Sequence, residues 1–124
     1  MPTAGSADPR LTVIVPAWNA EASIETAVRS VLDQRDVDLE CIVVDDASRD
    51  TTAEYLLGIG DPRLIVIKVP QNEGPFGAAN RGLARAAGEF IARLDADDEC
   101  LPARLEAQVA FLTTHAAVGL VGSE

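Results

Sequence analysis

Positive charge is scarce in this chain: ten lysines and arginines stand against twenty aspartates and glutamates, for a formal charge of −10. A field of that sign repels polyanions, which excludes a general nucleic-acid surface and an anionic-membrane surface. A small anionic ligand stays open, provided a cation mediates its contact with the carboxylates. Cysteine is almost missing. Cys41 and Cys100 are the only two; without zinc-ligand spacing or secretory context, they read as reduced thiols of a cytosolic protein. No apolar run approaches the ~20 residues that cross a bilayer as a helix. Met1–Arg10 is small, polar and proline-containing, lacks the apolar centre of a signal peptide, and is expected to be a disordered tail. Histidine occurs once, as His115, remote in sequence from every acidic cluster, and reads as a surface or helix-end residue. Repeats, low-complexity tracts and internal linkers are missing as well, which leaves one domain over Leu11–Glu124.

What is present is a core. The chain has 124 residues and 48% hydrophobic content, enough for one compact layered domain. Runs rich in β-branched residues predict strands near Leu11–Val15, Leu39–Val44, Leu64–Val69, Glu89–Leu94 and Val118–Val121. Between them, Ile24, Ala27, Val28, Val31 and Leu32 form one apolar stripe at helical spacing, with Glu21, Glu25 and Arg29 turned outward. A short helix is predicted to start at an Asp50 N-cap and to stop at Gly58 and Gly60. A third runs from Phe76 to Ala87, ended by Gly88, and a fourth opens with Pro102 in its first turn. Strand and helix alternate, so the expected fold is α/β, a mainly parallel sheet with helices on both faces.

Three polar signatures follow three of those strands: Pro16-Ala17-Trp18-Asn19, Asp45-Asp46 and Asp95-Ala96-Asp97-Asp98. In parallel strands all three converge on the carboxyl edge of the sheet, where open α/β folds bind ligands. With right-handed crossovers this predicts the strand order 3-2-1-4, with the fifth strand beyond the fourth. Taken alone, Asp45, Asp46 and Asp50 are ordinary turn and cap residues. Three carboxylates in four residues, Asp95, Asp97 and Asp98, repel one another unless a cation or solvent relieves them, and Mn²⁺ or Mg²⁺ favours such oxygen ligands. Asn72-Glu73-Gly74-Pro75-Phe76-Gly77 lacks both the dinucleotide fingerprint and the lysine of a P-loop and reads as a plain turn. Trp18 either stacks on a ligand ring or packs over the sheet edge.

The combination resembles the family 2 glycosyltransferases of the Rossmann-like GT-A fold. The stretches that carry the resemblance are Val13-Ile14-Val15-Pro16-Ala17-Trp18-Asn19, Ile42 through Thr51 with Asp45-Asp46 inside it, Asn80-Arg81-Gly82-Leu83 with Ala87-Gly88-Glu89-Phe90-Ile91, and Leu94-Asp95-Ala96-Asp97-Asp98. The resemblance implies a nucleoside-diphosphate sugar as donor, UDP- or dTDP-linked first of all. It implies donor-binding roles for Pro16, Ala17, Asn19, Asp45, Asp46, Asn80 and Asp95. Asp97 matches the last acid of the family's DxD motif and would ligate Mn²⁺ or Mg²⁺. Ala79 stands where many relatives carry arginine, and Arg81 is the substitute cation.

The resemblance also implies an inverting transfer to a glycan, lipid or other hydroxyl acceptor in polysaccharide or cell-envelope synthesis. A cytoplasmic protein is expected, its full-length form at the inner face of the membrane. The family's acceptor half and acidic general base would lie downstream of Glu124. The expectation is a donor-binding half that transfers little by itself and self-associates through the edge at Val118–Val121. Two other readings stand beside this one: a Mg²⁺-dependent phosphoacceptor receiver domain and a nucleotide-binding module without catalysis. A receiver requires an acidic pair after the first strand and a lysine after the last, whereas the only lysine here is Lys68.

Overall fold

A computed structural model describes residues 9–34, 37–101 and 104–114. The chain alternates β1 (Leu11–Ala17), α1 (Ile24–Leu32), β2 (Leu39–Asp45), α2 (Thr52–Leu57), β3 (Leu64–Lys68), α3 (Gly74–Arg85), β4 (Phe90–Arg93) and α4 (Arg104–Thr114). All strand pairs are parallel and the order is β3-β2-β1-β4, as the placement of the polar signatures required. The predicted fifth strand at Val118–Val121 and its edge, together with His115, Pro102 and Met1 to Asp8, lie outside the described residues.

Burial explains why the central strands carry little alternation. Every residue of β2 is buried, and in β1 only Pro16 is less than fully so, because helices cover both faces of the sheet. On one face Val13, Val15, Cys41 and Val43 meet the predicted α1 stripe, Ile24, Ala27, Val28, Val31 and Leu32. On the other, Ile42 and Val44 pack with Val69 and with Ala78 of α3. Gly82 lets that helix sit close: a Cβ there would come within 2.8 Å of Ile14 Cγ2.

Helix ends differ from the predicted ones, and distant acceptors are the reason. Helix α3 begins at Gly74 rather than Phe76 because the Asp46 carboxylate receives the N–H groups of Glu73 and Gly74, both at 2.8 Å. It ends at Arg85 rather than Ala87, where Ala86 turns extended. Ala87 N–H then donates to Glu40 Oε2 at 2.7 Å and Gly88 N–H to Thr12 Oγ1 at 2.9 Å. The Thr12 hydroxyl donates to the same Glu40 oxygen at 2.6 Å, so a buried carboxylate is satisfied and the α3–β4 crossover is pinned at the amino end of the sheet. A Cβ on Gly88 would lie 2.5 Å from Thr12 N, so only glycine passes. Helix α2 starts at Thr52 rather than Asp50, with Thr51 in the capping position and no side-chain cap bond from it.

Candidate functional site at the carboxyl edge of the sheet

The loops after β1 and β2 are welded together by a reciprocal set of hydrogen bonds. Asn19 takes a left-handed conformation, φ 47°, that asparagine tolerates. Its N–H donates to Ser48 Oγ at 2.9 Å, and its side-chain Oδ1 accepts Arg49 N–H at 2.8 Å. Two residues on, Glu21 Oε2 accepts Thr51 N–H at 3.0 Å, and Asp50 Oδ2 accepts Glu21 N–H at 3.2 Å. Asp50 also receives the Thr52 N–H and hydroxyl on its other oxygen. Burial, the largest single influence on Asp50, raises its pKa, but the bonds from Thr52 and Glu21 together hold it below the ordinary value. Its contribution to stability is therefore complete above the usual carboxylate range and disappears only as pH falls through that lower value.

Asp45 and Asp46 part company at the end of β2. Asp46 is 2% exposed and spends both carboxylate oxygens on the start of α3, while Asn72 Nδ2 donates to its carbonyl at 3.2 Å. Asp45 accepts Ser48 N–H at 3.1 Å and faces a different cavity. That cavity, of about 820 Å³, opens beyond β2 and β3 and is lined by Asp45, Ser48, Arg49, Lys68 and Gln71 among others. A second, of about 330 Å³, is a largely apolar slot between Pro16, Ala17, Trp18, Pro75 and Ala78, with Asp46 its one acid. Trp18 is 58% exposed and lines both cavities; it is available for stacking rather than packed over the sheet edge.

The acidic signature sits on the far side of β1, at the end of β4. Ser23 Oγ donates to Ala96 O at 2.8 Å and Cys100 N–H to Ser30 Oγ at 2.8 Å, which ties the loop to α1. Asp98 N–H closes a turn onto Asp95 O at 3.0 Å. Asp95, Asp97 and Asp98 are exposed, and one carboxylate oxygen from each lies within 4.8 Å of the others. An all-oxygen set this close fits a hard divalent cation such as Mn²⁺ or Mg²⁺ and suits zinc poorly. Arg93, 3.6 Å from Asp95 Oδ1, offsets part of the charge. Arg93 and Arg104 join Asp95 and Asp98 around a third cavity of about 360 Å³.

Pro16, Ala17 and Asp46 thus share the slot, Asp45 lines its larger neighbour, and Asp95 and Asp97 stand one strand away. Asn19 is exposed and engaged with the β2 loop. Asn80 is exposed on α3, about half a turn from the sheet-facing Ala78 and Gly82, and lines none of these three cavities. Arg81 is held bidentate by Glu73, both contacts at 2.7 Å, and that hydrogen-bonded pairing lowers the Glu73 pKa. Sequence reasoning read Asn72 as part of a plain turn and assigned it no role, whereas it lines both cavities and accepts Gly74 N–H at 3.2 Å. The signal available was an asparagine two residues before Gly74, a spacing suited to an Asx turn; the structure gives that glycine φ 83°.

The thiols take no part. Cys41 is wholly buried and its pKa is pushed up to about 12, chiefly by burial; burial likewise raises Cys100. Neither is expected to react with a disulfide reagent at pH 8 until the protein is denatured, when both should titrate. Receiver chemistry is not favoured either, since β1 leads into Trp18-Asn19 and Lys68 ends β3.

Residues 12–123 match the model of glycosyl transferase family 2. The chain is 42% identical over 101 residues to the succinoglycan biosynthesis protein ExoO of Rhizobium meliloti, an alignment covering 82% of this chain and 29% of that protein. Among solved structures, S. aureus TarS in complex with UDP-GlcNAc superimposes with a TM-score of 0.81 at 32% identity, over 86% of this chain and 32% of that one. A mannosyltransferase from Pyrobaculum calidifontis in complex with GDP-Man and Mn²⁺ gives a TM-score of 0.72 at 32% identity, over 87% and 33%. The chain therefore spans about a third of the length of these relatives. No helix among the described residues is long and apolar enough to cross a membrane. A family match over nearly the whole chain, carried on a 3-2-1-4 parallel sheet of the GT-A type, leads to one conclusion: this chain belongs to glycosyl transferase family 2.

Proposed function

We propose that the chain binds a nucleoside-diphosphate sugar for inverting transfer of the sugar to a hydroxyl acceptor, in polysaccharide or cell-envelope synthesis. The observation that carries this reading is the juxtaposition of an apolar, tryptophan-walled slot at the end of β1 with an oxygen-ligand cluster at the end of the neighbouring β4. Solved relatives complexed with UDP-GlcNAc and with GDP-Man and Mn²⁺ support it.

In this reading Trp18, Pro16 and Pro75 hold the flat faces of a base, and Asp46, already fixed by α3, offers the polar edge. Asp45 supports the ribose side from the adjoining cleft. The diphosphate runs across the top of β1 toward β4, with Asp95 near the ribose and sugar. Asp97 is the principal ligand for Mn²⁺ or Mg²⁺, with Asp95 and Asp98 close enough to share it. When bound, such an ion neutralises charge that develops on a departing diphosphate. The chain's own part is to orient the donor and to keep Arg93 beside the acids. The acceptor site and the general base are assigned to further parts of the longer relatives' fold. Self-association through the Val118–Val121 region belongs to the same reading, with a concentration-dependent sedimentation coefficient as its expected result.

Trp18 is the only tryptophan and walls the slot, so binding there is read in its fluorescence. Titration with UDP in Mg²⁺ should change that emission saturably, whereas adenine nucleotides should act more weakly. No saturable response at millimolar UDP would overturn the donor-binding reading.

A further inference from the structure

We propose that Ser23 is a positioning residue for the acidic loop: its hydroxyl holds the Ala96 carbonyl, between Asp95 and Asp97, and so sets the spacing of the carboxylates that would take a divalent cation. The inference rests on the metal reading above and adds to it a residue that acts through the loop backbone.

A serine at the start of a helix ordinarily accepts a hydrogen bond from the first N–H groups of that helix. Ser23 stands in the capping position of α1 but makes no such bond. Its Oγ donates instead to Ala96 O at 2.8 Å, across 73 residues of chain. The hydroxyl is thus turned away from its own helix and onto the segment that carries the exposed acids.

The rest of that segment leans on the same helix. Leu94 still belongs to the sheet ladder, its N–H donating to Ile14 O at 3.0 Å. Beyond it, Cys100 N–H donates to Ser30 Oγ at 2.8 Å. Gln34, 6% exposed, donates from Nε2 to Leu101 O at 2.8 Å and accepts Leu105 N–H on Oε1 at 3.2 Å. Ser23, Ser30 and Gln34 recur at intervals of seven and four residues, which puts them on one side of α1. Ser30 and Gln34 secure the buried end of the segment, at Cys100 and Leu105, whereas Ser23 grips a peptide unit between two of the acids. Ala96 is half-buried while Asp95, Asp97 and Asp98 are exposed, so the loop is anchored from within and its carboxylates face outward.

That anchor opposes the repulsion among three carboxylates whose oxygens lie within 4.8 Å of one another. Without it the acids relax apart and the ligand geometry is lost. Ser23 also closes the β1–α1 connection that begins with Trp18, a wall of the slot, and that Asn19 and Glu21 bond to the β2 loop. One braced connection therefore touches both the slot and the acidic loop.

The test is Mn²⁺ titration followed by the EPR signal of the free aquo ion, with metal-free UDP titration by Trp18 fluorescence alongside, on the native chain, Ser23→Ala, Ser23→Thr and Asp97→Asn. Ser23→Ala should weaken Mn²⁺ binding about tenfold, the scale seen when a group that orients metal ligands is removed. Ser23→Thr keeps the hydroxyl and should restore native affinity, and metal-free UDP affinity should be the same in the native chain and both Ser23 variants. A purely structural role would lower the melting temperature and leave Mn²⁺ affinity, measured well below the transition, unchanged; that result would overturn the proposal. Equal weakening by alanine and threonine, or a parallel loss of metal-free UDP affinity, would overturn it as well. A native chain that binds no Mn²⁺, or binds it equally after Asp97→Asn, would overturn the metal reading and the proposal together, which keeps the two failures distinct.

Discussion

Asp97→Asn is expected to abolish most of the gain in UDP affinity that Mn²⁺ confers on the native chain. The bare diphosphate approaches a protein of −10 formal charge through a loop where three carboxylates lie within 4.8 Å of one another. Two unit charges 4 Å apart interact by about 1 kcal/mol in water and about 4 kcal/mol near a protein surface. Relief of such repulsion by a dication should tighten binding on the order of 10- to 100-fold, since tenfold corresponds to about 1.4 kcal/mol. Asparagine preserves size and hydrogen bonding while removing the charge and the stronger ligand. Calorimetric titration of both proteins, with and without Mn²⁺, measures the effect. Native affinity that is identical in the two conditions would exclude a metal-bridged diphosphate.

A different kind of loss is expected for Asp46→Ala, which should unfold more easily before any question of binding arises. The side chain is 2% exposed, and its two oxygens receive Glu73 N–H and Gly74 N–H at 2.8 Å each. Hydrogen bonds to a charged group contribute about 1.5–3 kcal/mol apiece, and donors left without a partner add a penalty. A total loss of about 3–6 kcal/mol or more follows, a large part of the 5–15 kcal/mol typical of a domain. Asp46→Asn keeps a carbonyl acceptor and should lose roughly half as much. Urea denaturation gives both values. An alanine variant as stable as the native chain would show that the start of α3 does not depend on this carboxylate. Well below its own transition, the asparagine variant isolates any further role of Asp46 against the base, read as UDP affinity.

The same residue shows where legibility ended. Asp45-Asp46 was visible in the sequence as an acidic pair after a strand, which was enough to place it at the carboxyl edge of the sheet. That one acid faces the larger cleft while the other clasps a helix 27 and 28 residues further on depends on contacts between distant segments. Asn80 and Arg81 are comparable. Their motif was visible, but the helical phase was set by Ala78 and Gly82 lying on the sheet, which turned Asn80 outward and left Arg81 to Glu73.

By itself the sequence determined the four described strands, the α1 stripe, the parallel 3-2-1-4 sheet and the meeting of three polar signatures at one edge. These follow from side-chain periodicity and from the handedness of crossovers, which are local or nearly so. Only the tertiary structure decided where α2 and α3 begin and end, which acids are spent on backbone donors, and that two cavities rather than one flank Trp18. Those outcomes depend on which distant donor reaches each buried acceptor, since a buried polar group must find a partner wherever the fold supplies one.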